Sequence, residues 1–145
     1  MRVATLATGM VLALTACGVG TGISAGDLDG VWDAVVLEFS NPDSADQVVE
    51  AINLGASLTL TFRSDGTYTL ETSFPGEPDE TDTGTFVVVG SILTLDPGSG
   101  NAFDAAIART GDRLALESND AEFDWNDDGV EDPAFLRVAL QRRQG

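Results

Sequence analysis

The chain has no histidine, one cysteine and no lysine; its seven basic residues are all arginine. Each absence removes chemistry. Without histidine there is no Ser-His-Asp triad and no imidazole acid or base. Without lysine there is no Schiff base and no P-loop. A single cysteine closes no internal disulfide, and with no histidine beside it makes no usual zinc site. The seven arginines face 24 acids, a net charge of -17. That balance runs against nucleic acid, because phosphate binding needs a basic face. The 145 residues suffice for one domain. A carboxylate-based enzyme, a binding module or a structural protein remains.

The amino end reads as an address. Arg2 supplies a positive start, and residues 3–14 are almost wholly apolar or small (VATLATGMVLAL). This run is too short for a membrane span, which needs about 20 apolar residues, and has the layout of a secretory signal. It ends in Leu14-Thr15-Ala16-Cys17. The segment resembles a bacterial lipoprotein signal peptide with its lipobox. The resemblance implies cleavage after residue 16, diacylglycerol on the Cys17 thiol and an acyl group such as palmitate on the new amine. Several acyl chains anchor stably where one does not. Residue 18 is glycine, not aspartate, which in a two-membrane bacterium implies sorting to the outer membrane. In a one-membrane bacterium the protein would stay on the outer face of the cell membrane. Removing residues 1–16 leaves six arginines against 24 acids, a net charge of -18. Residues 17–28 then form the lipidated cysteine and a glycine-rich tether.

The remainder, 29–145, reads as short strands. The run 31–39 (VWDAVVLEF) is apolar on both faces, hence buried or bulged. Residues 43–55 suggest a short helix, capped by Asp43 or Ser44, with Ala45, Val48, Val49 and Ile52 on one side and Gly55 as the stop. Alternation of period two then takes over in 57–62, 67–74, 83–89, 91–95, 101–109, 113–117 and 134–141, separated by turn signals such as Ser64-Asp65-Gly66. Short links favour antiparallel neighbours. Eight such strands predict an all-β fold, an eight-stranded antiparallel up-and-down β-barrel with one short helix after the first strand. Closure removes the exposed edges. A β-sandwich is the alternative that the same pattern allows.

Gly30-Val31-Trp32 stands just before the first strand of this meander and matches the G-x-W signature of lipocalins. The chain resembles the small lipocalin-like domains of bacterial exported proteins over residues 29–141. The resemblance implies that Trp32 packs across the closed end of the barrel, with an arginine from the last strand over it. Arg137, within FLRVAL, is the candidate for that arginine. The helix departs from the family, which carries its own after the last barrel strand. Phe62, Tyr68, Phe74 and Phe103 are expected in the core. The lack of histidine also excludes a His-ligated haem, one use of small bacterial barrels.

The sharpest local motif is acidic. Asp124-Trp125-Asn126-Asp127-Asp128-Gly129-Val130-Glu131-Asp132 fits D-x-N-x-D-G-x-x-D. Hard cations take several oxygen ligands. Asp124, Asn126, Asp128, the Val130 carbonyl and Asp132 therefore resemble a calcium loop of the EF-hand kind, with Gly129 at the sharp turn. Position 12 is Phe135 rather than Glu, so Glu122 or Asp120 would have to supply the bidentate ligand. A solvated acidic turn is the competing reading. The run 77–82 (EPDETD) has no such spacing and reads as a solvated loop.

Three functions follow in order. First is an extracytoplasmic, membrane-anchored and monomeric binding module, non-catalytic, for a small apolar ligand. Second is an envelope structural or protein-interaction module with a filled core. Third is a carboxylate-based enzyme, which would need a carboxyl pair in a cleft. Glu38 and Asp104 are the acids nearest to an apolar strand face, and both are expected to point outward.

Overall fold

A computed structural model describes residues 22–145; the signal segment, Cys17 and tether residues 18–21 lie outside the described residues. Nine strands follow one helical turn. In chain order they are α1 (Ala25–Leu28), β1 (Gly30–Asn41), β2 (Ser44–Glu50), a 3-10 turn (Ile52–Leu54), β3 (Ser57–Phe62), β4 (Thr67–Ser73), β5 (Glu80–Val89), β6 (Ile92–Asp96), β7 (Phe103–Thr110), β8 (Arg113–Phe123) and β9 (Asp132–Arg142). All pairings are antiparallel, and β1 pairs with β9 as well as β3. The sheet therefore closes into an eight-stranded barrel, β1-β3-β4-β5-β6-β7-β8-β9, with β2 as one extra strand outside the ring.

The doubly apolar run of β1 is resolved by a bulge. Its register on β9 shifts between Ala34 and Val36. The extra residue, Val35, is left half-exposed, while Trp32, Leu37 and Phe39 all face the core. A bulge switches parity, so inward positions are even before it and odd after it.

The short helix after the first strand is the single 3-10 turn Ile52–Leu54, and Gly55 ends it with φ 99°. Residues 44–50 are a strand rather than its earlier turns. The reason lies in β1, which is 12 residues long but pairs with β3 only through Asp33. Its far half would present an open edge. Val48 and Val49 are β-branched and suit a ladder better than a helix, and they pair with Ser40 and Phe39. The Glu50 carboxylate ends the ladder by accepting from the Leu37 amide at 2.7 Å and the Asn53 amide at 3.2 Å.

The tether is also shorter than its sequence suggests. Ser24 and Asp27 form a reciprocal capping box on α1. Leu28, at the end of α1, is fully buried. This turn closes one end of the barrel. The turns β3–β4, β5–β6 and β7–β8 lie at the same end, and the longer loops 74–79, 97–102 and 124–131 lie at the other.

Candidate functional site

The closed end is filled. Trp32, Phe62, Leu93, Leu114 and Leu140 are buried there around Leu28. Phe62 meets Phe86 edge-on with ring centroids 4.7 Å apart. The Trp32 indole donates to the Leu28 carbonyl at 2.8 Å, so its one polar atom is satisfied. An arginine does lie over this ring, but it is Arg142, with its guanidinium carbon 4.3 Å from the centroid. Arg142 donates to the carbonyls of Asp29 and Asp27, the latter at 2.8 Å. Arg137 is half-exposed on the outside of β9, 3.9 Å from Glu38. The correction follows from strand parity. Leu136 and Val138 bracket Arg137 on the barrel wall, whereas Trp32 pairs directly with Arg142 in the ladder. Gly30 completes the arrangement. It has φ 138°, and a Cβ there would stand 2.7 Å from Nη1 of Arg142. The glycine and tryptophan of the G-x-W pattern thus make one seat for Arg142.

Above this layer the barrel is hollow. A cavity of about 280 Å³ has Leu60, Tyr68, Leu95, Leu116 and Val138 as its floor and Leu58, Leu70 and Phe103 higher up its wall. The floor residues are buried, while Asp82 and Asn101, which also line it, are exposed. The cavity is therefore apolar inside and polar at its mouth, and its mouth lies at the loop end.

Asp82 was not visible as a site residue from composition, because it closes the run read as a solvated loop. The strand begins earlier, at Glu80. Counting back in twos from the buried Phe86 gives Gly84, Asp82 and Glu80, which places two acids on the inward parity of β5. That extension of the alternation was the missed signal. Gly84 is fixed by close approach: a Cβ on it would meet the Asp96 carbonyl oxygen at 2.0 Å. Tyr68, opposite Gly84 in the ladder, has its hydroxyl pKa raised by burial and by the nearby charges of Asp82 and Asp96. Glu38 and Asp104 point outward as expected; Asp104 accepts from the Thr94 hydroxyl at 2.5 Å.

A second concavity of about 430 Å³ sits at the same end. Phe39, Phe74 and Phe123 form its apolar part, and Glu80, Glu122 and Glu131 are among its acids. Phe123 stacks at 5.1 Å on Phe39 and at 4.7 Å on Trp125. Burial raises the Glu131 pKa, helped by its hydrogen bond with Glu122 and by the charges of Glu122, Glu77 and Asp124.

The 124–132 loop curls around the Asp124 carboxylate. One oxygen accepts from the Asn126 and Asp128 amides at 3.4 and 3.2 Å, and the other from Gly129 at 2.8 Å. Asn126 Oδ1 accepts from the Asp128 amide at 3.1 Å, and Asp128 Oδ1 from Val130 at 2.8 Å. Asp127 takes φ 56° and Gly129 φ 82° to allow the curl. Asp132 belongs to β9, where it pairs with Phe123. Among the described residues no three acidic side chains form a group that could hold a metal.

Compared with models of known protein families and with curated protein sequences, the chain matches none. Within the described residues, the closed antiparallel barrel is compatible with a lipocalin-like fold.

Proposed function

We propose that the protein is a lipid-anchored extracytoplasmic lipoprotein whose barrel is a non-catalytic carrier of a small apolar ligand. The observation that supports carriage is the 280 Å³ apolar cavity, closed at the Trp32 end and reached from the loop end. Its size is at the lower end of small-molecule sites, which run from about 300 Å³. It suits a short alkyl chain or one ring rather than a long lipid. The Cys17 anchor rests on the sequence motif alone. A structural or protein-interaction module is the second reading, and the solid closed end favours it for that half of the barrel.

Native mass spectrometry of the protein purified without detergent tests carriage directly, and titration calorimetry with 1-octanol tests it for a defined probe. Carriage predicts saturable 1:1 binding that Leu116→Phe, which fills the cavity floor, abolishes while circular dichroism stays unchanged. Binding that survives the filled cavity would sink it.

Calcium on the 124–132 loop is a separate, smaller part of the proposal. Carboxylate oxygens keep spare lone pairs after accepting an amide hydrogen, so the curl around Asp124 does not by itself bar a cation. Millimolar calcium should then raise the melting temperature, and Asp124→Ala should remove the rise. No rise in the unmodified protein ends that part.

A further inference from the structure

Charge is segregated along the barrel axis. Of the arginines in the described residues, Arg63, Arg109, Arg113, Arg142 and Arg143 lie in or beside the turns of the closed end, and Arg137 lies on the outer wall. The loop end has none: no arginine falls in 74–82, 96–104 or 118–132. Those segments carry acids only. Two of the acids belong to the hollow itself. Asp82 lines the apolar cavity, and Glu80, two residues earlier on the same face of β5, lines the aromatic concavity beside it. Among the described residues neither makes an ion pair; the four arginine–carboxylate contacts use Asp27, Glu38, Asp112 and Asp33.

An apolar hole with an unpaired carboxylate at its lip discriminates by headgroup charge. A ligand whose tail fills the Leu60 to Val138 floor leaves its head at Asp82. A carboxylate head would meet like charge from Asp82 and from the acidic loops around it. An ammonium head would meet opposite charge, and the aromatic concavity of Phe39 and Phe123 lies at the same end of the barrel. We infer that the barrel selects amphipathic cations, short-tailed amines or quaternary ammonium compounds, with Asp82 as the residue that reads the head. The inference rests on the carriage reading and adds the ligand class to it.

The test compares four probes by titration calorimetry on the purified protein at low salt: octyltrimethylammonium, 1-octanol, octanoate and tetramethylammonium. Octyltrimethylammonium should bind roughly tenfold tighter than octanol, about the effect of 1.4 kcal/mol, and octanoate most weakly. Tetramethylammonium, which lacks the tail, should bind far more weakly than its octyl counterpart. Asp82→Asn should cut the cation's affinity about threefold, a typical partly exposed charge contact, and leave octanol unchanged. Glu80→Gln, further from the cavity, should do less. If octanol, octanoate and the cation bind alike, headgroup selection is overturned while carriage stands. Equal binding of the cation with and without its tail would place the effect on the acidic surface and overturn it too. If no octyl probe binds, carriage itself falls and the selection with it.

Discussion

The two ends of the barrel are built from the same strands but differ in what faces their acids: arginines at the closed end, backbone amides and other acids at the open end. At the closed end carboxylates are satisfied. Hydrogen bonds from Ser24 above all lower the Asp27 pKa, and contact with Arg143 does the same for Asp33. At the open end carboxylates crowd together, and Glu131 is pushed up. The closed end has small turns, a full core and all but one of the described arginines. The open end has long loops, a hollow and only acids. Stability is concentrated at one end, which leaves the other free to carry charges that work against folding.

The sharpest way to break this comparison is to remove the larger side chain of each end. Trp32→Ala removes the largest of the fully buried side chains and frees the Leu28 carbonyl. It should cost roughly 3–5 kcal/mol, read by urea denaturation. Trp125→Ala, on a partly exposed ring at the mouth, should cost about 1 kcal/mol or less. Equal costs would mean that the closed end is not the stability centre.

A smaller effect separates two arginines of one strand. Arg142→Ala loses the contact over Trp32 and leaves two carbonyls without their charged donor, for about 2 kcal/mol. Arg137→Ala removes one long, exposed pair and should stay within roughly 0.5 kcal/mol of wild type. The reverse order would restore Arg137 to the family position. Gly84→Ala is expected to cost about 1–3 kcal/mol, because its Cβ displaces the wall at Asp96.

These contrasts show what the sequence could and could not reveal. The strands at 57–62 and 67–73 were legible because both their alternation and the turn between them are local. The doubly apolar 31–39 run announced a bulge or burial, and it has both. Three features were not legible, and each depends on a distant partner. Residues 44–50 carry a helical spacing of apolar side chains, yet the unpaired edge of β1 recruits them as a strand. Arg142 falls just past the strand read at 134–141, but the register of β9 on β1 puts it opposite Trp32. Asp82 sat in an acidic run that looked solvated, and only the parity of β5 turns it toward the cavity. In each case long-range pairing decided, where local pattern was silent or pointed elsewhere.

The finest contrast between the ends is in pH. The lowered Asp33 pKa means that the native state holds its proton less tightly than the unfolded chain. Its contribution is present above the unfolded value, about pH 4, and is lost as pH falls through the lowered folded value. Glu131 runs the other way. With a raised folded pKa, its favourable contribution is present below about pH 4 and is lost as pH rises through the folded value, so at neutral pH its charge opposes folding. Asp33→Asn should therefore lower the melting temperature at neutral pH and make progressively less difference under acid. Glu131→Gln should raise the melting temperature by a few degrees or less at neutral pH and leave it unchanged under acid. Both acids are substantially exposed, so added salt should shrink both differences. If Glu131→Gln lowered the melting temperature at neutral pH, its carboxylate would have a partner at the mouth. The open end would then be as satisfied as the closed one, and the unpaired charge assigned to its lip would have to be reconsidered.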